Sequence, residues 1–179
     1  MTIGVAVVGD DDECGTIAAT KSITTTISAA PITSNGGPQS LYLYKTSKAS
    51  YLLAGTETEY QMIVQNIGAM VTSDVYVVDI IPAKSSFVAA YTTATTNAES
   101  YSCAGCQVFF SKTNANLPKK FDPSNPFTPA MIQSYFTKGS EVNGVWSSPF
   151  GSETKYVAYL VDDTTKTPPI FPTGGERKV

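Results

Sequence analysis

The sequence predicts an all-β protein, and three observations carry that expectation. Thr, Ser, Tyr and Val are abundant while only 15% of the 179 residues are charged. Long helices with charged outer faces are therefore disfavoured, whereas β-branched and aromatic residues suit a pleated, half-buried surface. Short runs of alternating apolar and polar residues also recur between Gly-, Pro- and Asn-rich clusters, the pattern of strands separated by turns. Finally, 42% hydrophobic residues suffice to bury a sizeable core, enough for one β-domain with an extension.

Taken in order, residues 1–9 read as a short strand that falls into an acidic turn, Asp10-Asp11-Asp12-Glu13-Cys14-Gly15. Ser22-Ile23-Thr24-Thr25-Thr26-Ile27-Ser28-Ala29 alternates and is bounded by Pro31 and Asn35-Gly36-Gly37-Pro38, which makes residues 34–39 a linker. Strands follow near 40–46, 57–65 and 74–81, with a fourth near 86–91 after the turn at Pro82. In the second of these, Thr58, Tyr60, Met62 and Val64 share one face and Glu57, Glu59, Gln61 and Gln65 the other, as a strand with one dry and one wet side requires. Asn66-Ile67-Gly68 ends the run because Asn and Gly tolerate positive φ.

Cys106-Gln107-Val108-Phe109-Phe110-Ser111 is a further short strand, and residues 114–129 form a Pro/Asn-rich loop. Met131 to Phe136 predicts a single helical turn with Thr128 as cap and Pro129 at the first position. Lys155-Tyr156-Val157-Ala158-Tyr159-Leu160-Val161 is a late strand, followed by a turn-rich stretch to Gly175. Tyr60, Met62, Val64, Val75, Val77, Tyr156, Ala158 and Leu160 are expected to fill the space between two facing sheets. The organisation is a β extension over 1–39 and a body over 40–179 carrying an insertion at about 91–150.

The run Ala54-Gly55-Thr56-Glu57-Thr58-Glu59-Tyr60-Gln61-Met62-Ile63-Val64-Gln65-Asn66-Ile67-Gly68, then Val75-Tyr76-Val77-Val78-Asp79-Ile80-Ile81-Pro82-Ala83, resembles the conserved repeat domain of bacterial and archaeal surface proteins. Leu41-Tyr42-Leu43-Tyr44-Lys45-Thr46 is similar to that family's opening strand. The resemblance implies an immunoglobulin-like β-sandwich without enzymatic activity, of the kind found in exported cell-wall, S-layer-associated, adhesive or filamentous proteins. It assigns Asp79 a backbone-bonding role in its turn. It also implies that the closing strand is absent or lies outside this chain, since residues 171–179 resemble the approach to that strand.

A sandwich short of a strand exposes an apolar groove and unpaired backbone groups, which a neighbouring chain could fill. The expected function is therefore a structural subunit of an extracellular surface filament or coat, with other copies of itself as partners. Ile23, Thr25, Ile27 and Ala29 would lie on the strand added to the next subunit, or the segment would fold back on its own body. The alternative is an adhesive or ligand-binding module of a larger surface protein. In that reading Tyr101, Phe121, Phe127, Tyr135 and Trp146 contact a host or surface polymer; Trp146 also suits a place at one end of the core.

Cys103-Ala104-Gly105-Cys106 has spacing compatible with a local disulfide, with free thiols as the other state; Cys14 is left over. With three Cys and no His, tetrahedral zinc lacks ligands, and Ser-His-Asp or Cys-His catalysis lacks its base. Asp10 and Asp12 are the weak candidates for calcium, but four consecutive acids do not converge on one point, and a solvated loop is the simpler reading. No other cofactor is expected. A net charge of −3 gives no basic footprint for nucleic acid. No run of eighteen apolar residues exists to span a bilayer, and Met1 to Asp10 makes a poor export signal for want of a cationic start.

Overall fold

The computed structural model describes residues 25–30, 41–47, 55, 57–68, 73–83, 85–95, 100–103, 105–120, 122, 124–167 and 169–179. The expectations for residues 1–24, with Asp10, Asp12, Cys14 and Ile23 among them, lie outside these, as do the linker at 34–39 and Phe121. Strands β1 (Thr25–Ala30), β2 (Leu41–Ser47), β3 (Tyr60–Asn66) and β4 (Ser73–Ile80) are followed by the short β5 (Ala90–Tyr91), β6 (Thr93–Thr95) and β7 (Ser100–Ser102). Then come β8 (Gln107–Lys112), α1 (Pro129–Tyr135), β9 (Thr137–Lys138), β10 (Ser140–Val142), β11 (Val145–Ser147), β12 (Thr154–Leu160) and β13 (Glu176–Lys178).

The all-β, sandwich-like architecture expected from composition is what the chain adopts. A five-stranded sheet, ordered β1-β4-β12-β8-β9, faces a three-stranded sheet ordered β13-β3-β2, and all pairs are antiparallel. Between them Leu41, Met62 and Val64 meet Val75, Val77, Val108, Phe110, Val157 and Val161 in one dry cluster. Two smaller sheets, β10-β11-β5 and β6-β7, are formed by strands between Ala90 and Ser147. The strand expected near 86–91 is reduced to the two residues of β5, because residues 85–89 pair with nothing in a ladder.

The core expected from alternation needs one correction. Tyr156, Ala158 and Leu160 do not face the other sheet; they lie on the opposite side of the five-stranded sheet with Tyr76, Val78 and Ile80. There they are covered by α1 and the preceding loop, through Leu117, Phe127, Ile132 and Phe136. Register explains the split: Tyr156 opposes Ile80 and Ala158 opposes Val78, while Val157 opposes Asp79 and Tyr159 opposes Val77. Odd and even positions of β4 and β12 therefore serve two different cores. Phe127 sits edge-on to Tyr156 at 5.8 Å and Phe136 lies 6.1 Å from the same ring, so the second core is mainly aromatic.

Helix α1 begins as expected. Thr128 Oγ1 accepts a hydrogen bond from the Met131 N–H at 3.2 Å and Pro129 occupies the first turn, where its missing N–H is no loss. The helix ends after seven residues as Phe136 turns extended, and Ile132 is its one buried side chain.

The expectation of a missing closing strand is also corrected. Glu176, Arg177 and Lys178 pair with Gln65, Val64 and Ile63 of β3. The ladder continues through Val179, whose N–H donates to Met62 O at 2.9 Å and whose carbonyl accepts from Met62 N–H at 2.6 Å. Val179 is buried, and the buried Asn66 amide donates to Phe171 O at 3.1 Å, so the chain end is sealed into the sandwich. A strand this short carries little alternation by which a sequence could announce it.

Candidate functional site

The segment Thr25–Ala30, expected as an added strand, lies along the edge of the five-stranded sheet and pairs with β4 of its own chain. Thr25 opposes Asp79 and Ile27 opposes Val77; Ala29 falls at an irregularity, where the register shifts between Ser28 and Ala30. This is the fold-back arrangement. It closes a row of backbone groups on β4 that would otherwise form an unprotected edge. Since Val75, Tyr76, Val77 and Val78 are all buried, β4 without that cover would be an apolar edge strand, the kind that recruits another chain.

Directly beneath this junction the two sheets are tied by charge. Lys45 of β2 donates from Nζ to Asp79 Oδ1 of β4 at 2.7 Å, with both side chains largely shielded. The Tyr60 ring lies 4.6 Å from the ammonium and adds a cation–π contact. Burial pushes the Asp79 carboxyl up, and Lys45 opposes that shift. The lysine is a partner beyond the backbone bonding implied for Asp79: its carboxyl reaches Lys45 between the sheets and also accepts from the Ile80 backbone. Tyr60 is likewise raised, first by burial and then by the Asp79 charge.

A second polar anchor fixes the start of β4. The buried Asp162 carboxylate accepts from the Asp74 N–H at 2.6 Å and the Val75 N–H at 3.2 Å. Asp74 has φ +53°, a left-handed geometry that Asp tolerates better than most residues. Burial raises the Asp162 carboxyl to about 6 against the opposing effect of those two N–H donors; the Asp74 charge raises it further, and Arg177 lowers it.

Cys103 and Cys106 are joined by a disulfide with Cα atoms 5.4 Å apart. The loop it closes is held at every corner. Cys103 N–H donates to Thr92 O at 2.7 Å, Cys106 N–H to Cys103 O at 3.0 Å, and Thr164 Oγ1 to Gly105 O at 2.7 Å. Gly105 has φ +80°, and a Cβ there would lie 3.2 Å from Thr164, so a side chain would be both strained and crowded.

The residues expected to touch a partner are dispersed. Phe127 and Trp146 are buried, Phe127 in the aromatic core and Trp146 in the main one. Trp146 donates from Nε1 to Thr92 Oγ1 at 2.9 Å, as suits a structural indole. Both are corrections to the contact role. Tyr135 remains exposed at the end of α1, and Tyr101 lies in β7, opposite Ala94. Among the residues whose burial is described, the most exposed tyrosines are instead Tyr42 and Tyr44 on the outer face of β2.

Sequence reasoning passed over the hairpin β10–β11. Asn143 and Gly144 both take positive φ, +53° and +79°, as a two-residue reverse turn between paired strands demands. The Asn-Gly dipeptide flanked by Val142 and Val145 was the available signal. Among the described residues no group of three His, Cys, Asp or Glu side chains is placed to hold a metal, and no helix is long and apolar enough to cross a membrane. No family profile, curated protein or solved structure matches the chain.

Proposed function

We propose that this chain is a non-enzymatic structural subunit of an extracellular filament or coat, assembled by exchange of β1 between copies. One observation carries the reading: β1 is an edge strand whose backbone ladder has a single partner, β4, and it joins the body through residues 31–40. Every backbone bond it makes to β4 of its own chain is equally available to β4 of the next. Exchange of an identical element conserves those contacts and changes only the connection, so its thermodynamic penalty is small. When each subunit gives β1 to one neighbour and receives it from another, the contact is heterologous and grows as an open chain. The buried run Val75 to Val78 supplies the apolar edge that makes an uncovered β4 unfavourable and its pairing strong.

The test is removal of residues 1–37 from the full chain, followed by electron microscopy under conditions where the intact chain assembles. Loss of ordered assemblies is the expected outcome, with a synthetic peptide of residues 21–32 binding the truncated chain yet leaving it unassembled, because a detached strand fills β4 without linking subunits. Assemblies of unchanged form would overturn the proposal.

A further inference from the structure

We propose that the cavity beside the Cys103–Cys106 loop binds a neutral, polyhydroxylated ligand the size of a single sugar ring. This does not depend on how β1 pairs, because neither β1 nor β4 lines the cavity. Its volume is about 360 Å³, toward the lower end of the roughly 300–1,000 Å³ typical of small-molecule sites. Four separated stretches build it: Thr92, the disulfide loop with Gln107, the segment from Lys138 to Trp146, and Thr164.

The chemistry of the walls selects the ligand. Lys138 supplies an ammonium donor, Glu141 a carboxylate acceptor, Gln107 an amide that is both, and Thr164 a hydroxyl. A sugar hydroxyl donates and accepts at once, so a wall that mixes the two suits it. One cation and one anion cancel, which disfavours a ligand of either charge. Trp146 is buried behind these groups, with the Lys138 ammonium 5.9 Å over its ring, so it backs the polar wall rather than presenting a face to the ligand.

The site is also held in shape before any ligand arrives. Glu141 Oε1 accepts from the Gly144 N–H at 2.5 Å, Thr92 N–H donates to Gly144 O at 2.9 Å, and the Trp146 indole is pinned to Thr92. With Thr164 bonded to Gly105 and the disulfide closing the loop, the cavity floor is cross-braced from three directions. Such bracing lowers the ordering cost of binding, which matters most for weak, small ligands.

Trp146 is the chain's single tryptophan, so its emission reports on the cavity without a label. The experiment titrates the full chain with glucose, galactose, mannose and N-acetylglucosamine, with glucuronate and glucosamine as charged counter-probes, and repeats it by ligand-observed saturation-transfer NMR. At least one neutral sugar is expected to give a saturable response in the millimolar range, and the charged probes a weaker one. Gln107→Ala and Lys138→Met should each weaken binding roughly tenfold, the loss of about one good hydrogen bond, while the circular-dichroism melt stays as in the parent. No saturable response to any neutral sugar, a stronger response to either charged probe, or unaltered binding by both variants would overturn the proposal.

Discussion

The two faces of the five-stranded sheet solve the same burial problem with different materials. The face toward β2 and β3 is built mainly on Val75, Val77, Val108, Val157 and Val161 with the Phe110 and Phe171 rings among them, and it contains the Lys45–Asp79 ion pair. The face toward α1 is aromatic, with Tyr76, Phe127, Phe136 and Tyr156 in edge-to-face and tilted contact. The first core is made by strands that alternate in sequence; the second is made when a loop and a short helix are laid over residues that would otherwise face water. The difference teaches that the loop and helix between β8 and β9 contribute a structural layer of their own.

The largest effect that could break this comparison is loss of a ring from either face. Phe127→Ala and Phe110→Ala should each lower unfolding free energy by about 3–5 kcal/mol, the usual range for a buried Phe, measured by urea denaturation. If Phe127→Ala costs less than about 1 kcal/mol, the α1 layer is ornamental and the two faces are not equivalent cores.

The ion pair is tested next. Lys45→Met leaves Asp79 buried without its cation and should cost about 3 kcal/mol, whereas the double variant Lys45→Met with Asp79→Leu should recover most of that loss. A double variant as unstable as the single one would show that the charges themselves hold the sheets together.

A smaller effect is expected at Gly139, where a Cβ would run into the Phe110 ring and lie 2.8 Å from Ser147 O. Gly139→Ala should cost about 1–3 kcal/mol through overpacking, visible as a lower midpoint in the same denaturation series. An unchanged midpoint would mean that the β8–β9 contact yields freely.

The smallest effect is a pH slope. Asp162 titrates near 6 in the fold against 3.8 in an ordinary setting. The folded chain therefore holds this proton more tightly. The stability Asp162 contributes is full below its unfolded pKa and is lost as pH rises through about 6. Asp162→Asn should flatten the melting-temperature profile between those limits, and an unchanged profile would assign the slope to another group.

Much of this architecture was legible because local signals agreed with the final packing. The alternation of Tyr60 to Val64, the Thr128-Pro129 start of α1 and the late strand at Tyr156 all reappear in place. What was misread follows from treating β4 and β12 as one-sided. Val75-Tyr76-Val77-Val78 and Tyr156-Val157-Ala158-Tyr159 are nearly continuous apolar runs, and such runs signal burial on both faces. The covering residues, Leu117, Phe127 and Ile132, stand in a loop and a two-turn helix whose own pattern is too short to show which face they meet. The cavity was illegible for another reason. Gln107, Lys138, Glu141 and Thr164 are ordinary surface residues in sequence, and only long-range pairing gathers them.

Assembly by strand exchange turns on where β1 pairs when subunits come together. Ile27 and Val77 oppose each other across β1 and β4, a spacing that suits a disulfide between introduced cysteines. In a Cys14→Ser background, Ile27→Cys with Val77→Cys should be oxidised after assembly and run on a non-reducing denaturing gel. Exchange of β1 predicts a ladder of covalent multimers that collapses to one band on reduction. Cross-linked monomer alone, from material that electron microscopy shows to be assembled, would contradict it.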